Sequence, residues 1–529
     1  MTMTAMRLAI LLLGAAAGPG AEDVARAART IEAPALRAHV KFLASDLLEG
    51  RLPGTRGDRL ARAYVAARFE ALGLEPAAPG GGWFQEVPLV GTTSHVQGPM
   101  QFTAGDRRLA LAFGDEMMAS SGVQRERAGW RDAEVVFVGY GITAPEFGWD
   151  DFKGVDVKGK VLLVMNNDPE SDPALFAGKT RLYYGRWSYK YEEAARRGAA
   201  GVIIIHTTPS ASYPWQVVRT SWAGQKFDLP SAGGPTIEVQ AWATEASSRA
   251  IAALGGQDLD ALRAAAERRD FRPVPLGVTA AAHLASAVRT FPQENVAGLV
   301  RGTDPRLAAE AVVYSAHWDH FGVADGKLFN GAVDNASGCA ALLAMAQAAV
   351  ASPARRSQLF LFTFGEEQGL LGASAWVRQP PWPLARTVAD LNLESLNFVG
   401  PSRDIEFLGG ERSTLLETGR AVAARSGLVL RPAEPDPAGL YFRSDHFPFA
   451  RAGVPALSPG FSLAGQRDYL VDPVGSRTKA AAFLGRYHTE QDDYDPAWDL
   501  GGMVQQAQFV LDLGRAVADA PGRPAWKTP

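Results

Sequence analysis

Cysteine is almost absent: Cys339 is the only one in 529 residues, so no disulfide can form within the chain. It lies inside an Ala/Leu/Met-rich stretch and is read as a small core residue rather than a reactive thiol. An excess of charge of one sign is also lacking. The formal net charge is -4, which leaves no basic field for nucleic acid. Beyond the N-terminus no apolar run is long enough to span a bilayer. There is no internal repeat, and no low-complexity tract beyond Ala-richness.

What is present begins with Arg7 and the apolar run Leu8 to Ala17, followed by small residues to Ala21. A short basic start, an apolar core too short to cross a membrane and a small-residue zone make residues 1–21 a signal peptide by expectation. Export to a periplasm or the medium follows, with no stable membrane insertion after the signal is removed. The rest of the chain, 47% hydrophobic overall, can bury more than one core.

From Ile31 to Leu74 the pattern is helical with a break at Pro53-Gly54, and Gly73 sits where a left-handed cap would fall. A second unit begins after about Thr92, with short apolar runs at Glu134–Val138, Val161–Val164 and Gly201–Ile205 and a helix-like Tyr189–Arg197. From about Glu294 the alternation is regular. Strands are expected at Ala311–Ala316, Gln358–Phe364 and Val388–Leu393, with a helix over Ala336–Val350. That alternation predicts an α/β fold, a mixed or mainly parallel sheet with helices on both faces.

The chemistry gathers at the ends of these strands, where α/β sheets bind their ligands. The first runs into His317-Trp-Asp319-His320 and then Asn330-Gly-Ala-Val-Asp334. The second ends in Glu366-Glu367, the third in Glu394, and Tyr487-His488 follows near the C-terminus. Thr489 with Asp492 is expected to form a capping box that puts His488 just before a helix. His317, Asp334, Glu367, Glu394 and His488 are five metal-ligand types at the loop edges of one sheet. With one shared carboxylate they suit two zinc ions, three protein bonds each. Asp319 is placed to hold the other ring nitrogen of His317. His39, His95, His206 and His283 are read as structural or surface residues, and His320 and His446 as possible contacts to substrate.

Taken together, these motifs resemble the di-zinc aminopeptidase family that also holds glutamate carboxypeptidase and the transferrin receptor. The resemblance rests on His317-x-Asp319, Asn330-Gly-Ala-x-Asp334-Asn-x-Ser-Gly338, Glu366-Glu367-x-Gly-Leu-x-Gly372, Ser444-Asp445-His446 and Tyr487-His488, with Gly50-Arg51 near the start. Val138-Gly-Tyr-Gly-Ile142 and Lys190 to Ala199 are similar to the protease-associated insert of many members. The resemblance implies a zinc-exopeptidase-like fold in which residues 22–92 and 281–529 form the peptidase domain and 93–280 the insert. It implies that Asp334 bridges two Zn2+, with Glu367 and His488 on one ion and His317 and Glu394 on the other. Glu366 would be the general base, and Asp319 the partner of His317. Tyr487 is a candidate for oxyanion stabilisation. The loop from Arg443 to Phe449, with Arg443, Asp445 and His446, would border the pocket for the substrate's terminal residue. One position departs from the family, which usually has Asp where this chain has Glu394. The expected function is an exported aminopeptidase acting on peptides, with no oligomeric state implied. The alternatives are a single-zinc glutaminyl cyclase on the same scaffold and a non-catalytic binding protein.

Overall fold

The computed structural model describes residues 27–431, 434–460 and 467–527. The expected signal segment, residues 1–21, lies outside them. Near the start, helix α1 (Ala33–Leu43) and helix α2 (Arg56–Leu72) pack into the main core. Gly73 closes α2 with a φ of 80°, its N–H bonded to Glu70 O, a backbone conformation that favours glycine.

The strands that build the large sheet are β1 (Phe84–Val96), β2 (Met117–Ser121), β3 (Arg127–Phe137), β4 (Val161–Met165), β5 (Gly201–His206), β6 (Val239–Thr244), β7 (Val274–Val300), β8 (Ala311–His317), β9 (Ser357–Thr363), β10 (Thr387–Asn392) and β11 (Ala456–Leu457). Their spatial order is β11-β10-β8-β9-β7-β3-β4-β5-β6-β2, with β1 paired to β7 off this path. Strands β8, β9, β10 and β11 run parallel. Between the early strands lie α3 (Trp187–Arg196) and α4 (Trp215–Ser221). The crossovers of the later half are α5 (Gly338–Ala351) and α6 (Leu371–Arg378), followed by α7 (His446–Arg451) and α8 (Gly501–Asp519).

Alternation along β8 places the two faces of the sheet. Val312, Tyr314 and Ala316 join α1, α2, α5 and α8 in one core, while Ala311 and Val313 join Trp376 and Phe449 in another. Almost every side chain of α5 is buried, as expected of a helix that is apolar all round. Strands β3 to β6 have their own pair of cores, one on each face. The expected boundaries at 92/93 and 280/281 fall within β1 and β7. These strands pair antiparallel from Val96↔Leu284 to Phe84↔Val296 and run unbroken from one pair of cores to the other. A continuous strand carries no turn residues, so composition does not mark that passage.

Candidate metal centre

Parallel register fixes the ends of β8, β9 and β10 at one edge of the sheet. His317 is level with Thr363, the last residue of β9, and Ser315 with Asn392, the last of β10. The segments beyond those ends carry Asp319, Glu366 with Glu367, and Glu394. The wide helical turn Ala332–Ser337 ahead of α5 adds Asp334.

Two sets of side chains meet at Asp334. His317 Nε2 lies 3.3 Å from Asp334 Oδ1 and 3.2 Å from Glu394 Oε1. His488 Nε2 lies 3.3 Å from Asp334 Oδ2 and 3.1 Å from Glu367 Oε2. Both histidines, Asp334 and Glu394 are buried, and Glu367 is partly so. His317 Nδ1 is 3.2 Å from the backbone carbonyl of Asp319. A proton on Nδ1 therefore satisfies that carbonyl and leaves the Nε2 lone pair facing carboxylates. Lone pair against anion is repulsive without a cation between them. Two ligand atoms on one tetrahedral zinc, each about 2.1 Å from it, stand about 3.4 Å apart. The observed separations match that spacing, so the donor set fits a pair of zinc-type cations.

Electrostatics agree with this fit. Burial alone would lower His488, but Glu367 and Asp334 outweigh it and carry the imidazole to about 9. Burial likewise opposes the charge on His317, yet Glu394 and Glu366 hold it well above its ordinary value. Glu366 is pushed well above the carboxylate range by burial and by Glu394, Glu367 and Asp445, with His317 opposing. Its Oε2 is 3.9 Å from His317 Nε2, so this acid stands at the edge of the cluster. The whole is a buried knot of carboxylates that attracts positive charge.

Several residues hold this arrangement. Asp492 accepts the N–H groups of Val333 at 2.8 Å and Asp334 at 3.0 Å. That replaces the expected capping box: no helix begins at Thr489, and Thr489 Oγ1 donates to Arg486 O instead. The Asp492 carboxylate is bound to a loop 159 residues away in the chain, so it is not free to pair with its sequence neighbour. Arg51, fully buried, donates to the carbonyls of Trp318 (2.5 Å), Asn330 (2.6 Å), Gly331 (3.0 Å) and Leu43. One guanidinium thus clamps both loops that carry His317 and Asp334. Neighbouring Gly50 permits this approach: a Cβ there would meet Phe329 O at 2.3 Å.

The structure corrects three expectations. Asp319 reaches His317 chiefly through its backbone carbonyl, while its Oδ1, 3.6 Å from the ring, accepts the Glu366 N–H at 3.2 Å. A turn two residues past a strand end brings the carbonyl to the ring before the side chain. Of the three residues expected at the substrate pocket, only Arg443 lines the cavity of about 520 Å³ beside the cluster. Asp445 and His446 are buried behind it. Asp445 accepts from Thr363, and burial raises its carboxyl to about 7. His446 packs edge-on to Tyr441 with ring centroids 4.9 Å apart, and burial lowers it to about 3. The residues around Asp445 start α7, which turns their side chains into the core.

The cavity is lined by Glu366, Glu367, Tyr487 and His488 together with residues of α3 and α4. Tyr487 stacks on His488, ring centroids 3.7 Å apart. Glu394 Oε2 accepts from Ser444 Oγ at 2.6 Å, and that hydroxyl accepts from Asn392 Nδ2 at 2.6 Å. The methylene that sets Glu394 apart from Asp thus lets it touch both the cluster and Ser444. His320, read as a possible substrate contact, is fully buried with Nδ1 2.7 Å from Glu367 Oε1. The roles of Arg51, Asp492, Ser444 and His320 were not anticipated. The available signals were the Gly50-Arg51 pair and the Ser444-Asp445-His446 motif.

A two-sided cluster of histidines and acids at the strand ends of an α/β sheet is a donor set suited to a pair of metal ions. Residues 295–512 match the model of peptidase family M28. It is similar to the vacuolar membrane protease of Verticillium alfalfae, 32% identical over 192 residues, which is 34% of this chain and 15% of that protein. The chain therefore spans only a small part of that relative's length. Among solved structures it is similar to an aminopeptidase from Aneurinibacillus sp. strain AM-1, at 19% identity, 96% coverage of this chain, 98% of that one and a TM-score of 0.52. A zinc aminopeptidase from Bacillus subtilis is 17% identical, with 91% of this chain and 94% of that chain covered and a TM-score of 0.47. At these identities the Aneurinibacillus likeness speaks for the fold alone. Among the described residues no helix is long and apolar enough to cross a membrane.

Proposed function

We propose that the chain is an exported aminopeptidase that releases N-terminal residues from peptides at a site for two zinc ions. The observation that carries this reading is Asp334, whose two oxygens face His317 and His488 on opposite sides at 3.3 Å each. His317, Asp334 and Glu394 would hold one ion, and His488, Asp334 and Glu367 the other. Bound zinc supplies polarisation of the scissile carbonyl and acidification of the attacking water.

The chain's own residues do the rest. Glu366 stands at the cluster edge on the cavity wall, where its carboxylate takes the proton of the attacking water and returns it to the leaving amine. The Asp319 carboxylate holds Glu366 through its backbone N–H, which fixes where that proton is received. Tyr487 brings a hydroxyl to the same cavity, and its burial keeps it protonated, as a donor to developing oxyanion charge must be. Export rests on the apolar stretch from Leu8 to Ala17.

The test is direct. The purified chain is assayed for zinc content and incubated with a mixed peptide library, and the released products are identified. Two zinc ions per chain and stepwise loss of N-terminal residues are expected. One ion per chain, or no hydrolysis of any peptide with zinc present, would sink the proposal.

A further inference from the structure

The cavity is lined by cations that form no ion pair among the described residues. Arg186, at the head of α3, is 8% exposed and lines the cavity. Its Nε has no hydrogen-bond partner, and among the described residues it forms no ion pair. The groups that act on it are burial, then the guanidinium of Arg443, with Tyr213, Arg181 and Tyr183 contributing less; together they lower it to about 9. None of these is a carboxylate. Arg443 lines the same cavity, its guanidinium 5.5 Å from the centre of the Tyr213 ring and its Nη1 3.4 Å from Ser212 Oγ. It too forms no ion pair among the described residues. Burial opposes its charge, while Tyr487, Tyr213, Glu366 and Asp436 favour it, the two acids acting from beyond ion-pair distance.

Two other arginines of this region are matched with acids. Arg451, on the same cavity wall, lies 3.5 Å from Glu192, and Arg197 of the α3 C-cap lies 2.7 Å from Glu193. Lys226 and Arg378 on that wall also form no ion pair among the described residues, but neither is buried, whereas Arg186 is. Burying a guanidinium without an anion beside it, as at Arg186, is unfavourable. The arrangement becomes favourable when a ligand brings the anion, and the planar fork of arginine suits a carboxylate, which it can bind through two parallel hydrogen bonds. A cavity of about 520 Å³ has room for a short peptide.

We propose that Arg186 and Arg443 form a carboxylate-reading subsite, which takes either the free C-terminal carboxylate of a short peptide or an acidic side chain beside the scissile bond. This rests on the peptidase reading of the site and makes the enzyme selective for short or acidic substrates.

The experiment compares kcat/KM of the zinc-loaded full chain on Ala-Ala, Ala-Ala-amide, Ala-Glu-amide and Ala-Gln-amide. A preference for the first over the second identifies the C-terminal carboxylate, and a preference for the third over the fourth identifies the side chain. One of the two ratios is expected to be about 10- to 100-fold, the range for a charge-assisted hydrogen bond. It should fall toward one in Arg186→Gln and in Arg443→Gln, and a ratio does not depend on how much enzyme is folded. Ratios near one in the unaltered chain, or undiminished in both variants, overturn the subsite. Calorimetric titration with N-acetylalanine and its amide separates this failure from failure of the peptidase reading. If no peptide is cleaved yet the acid alone binds, and binds more weakly in both variants, the subsite stands and the peptidase reading falls. Equal binding of acid and amide, or unchanged acid binding in both variants, overturns the subsite whatever the activity.

Discussion

Ser444 offers the sharpest test of how the cluster is held. Its hydroxyl donates to Glu394 Oε2 at 2.6 Å while accepting from Asn392 Nδ2, and all three residues are buried. Ser444→Ala removes the hydrogen bond to that oxygen, leaving a buried carboxylate oxygen unpaired and free to swing. A hydrogen bond to a charged group contributes about 1.5–3 kcal/mol. Loss of such a supporting partner commonly weakens a metal site by about 10–100-fold. The two ranges agree, since tenfold is about 1.4 kcal/mol. Only the ion shared by His317, Asp334 and Glu394 should be affected. Graded chelation followed by metal analysis should then show one zinc leaving at a chelator strength about 10- to 100-fold lower than in the unaltered chain, and the other unchanged. Glu394→Asp should behave similarly, because the shorter side chain cannot reach both the cluster and Ser444. If both ions leave together at the original chelator strength in both variants, Glu394 is not a ligand supported in this way.

Glu366→Gln should keep both metals while turnover falls by about 10²-fold or more, the range for losing a general base; loss of zinc in this variant would mean Glu366 is a ligand and not the base. His488→Ala should lower bound zinc and abolish activity, since each ion has three protein bonds, and full zinc content would remove His488 from the site. Asp390 concerns stability. Its carboxyl is fully buried and pushed well above the ordinary range by burial and by Asp445, against the hydrogen bond from Ser315. The folded state therefore holds this proton after the unfolded chain has released it, so stability falls as pH rises above about 4. Relative to Asp390→Asn, the unaltered chain should lose up to about 1.4 kcal/mol per pH unit over that window. Urea unfolding at pH 5 and pH 7 giving the same difference would refute the assignment.

The sequence by itself determined the element types and the chemistry on offer. Apolar runs of strand length followed by Pro-free helical stretches specify parallel strands with crossovers, and β8, β9 and β10 begin and end within one residue of expectation. Once the strands lie parallel, their trailing residues share an edge, so His317, Glu366, Glu367 and Glu394 had to come together. Only the tertiary structure decided how the acids divide. Which oxygen of Asp334 faces which histidine, that the carbonyl of Asp319 lies nearer the ring than its carboxylate, and that Asp445 and His446 turn into the core depend on local backbone direction, which no periodicity reports. The supports were hidden for a different reason. Arg51 grips carbonyls 279 and 280 residues away, and Asp492 grips N–H groups 159 and 158 residues away. Their partners are backbone groups, identical at every position, so the sequence carries no mark of the pairing. It exists only once packing has brought the loops within hydrogen-bond reach.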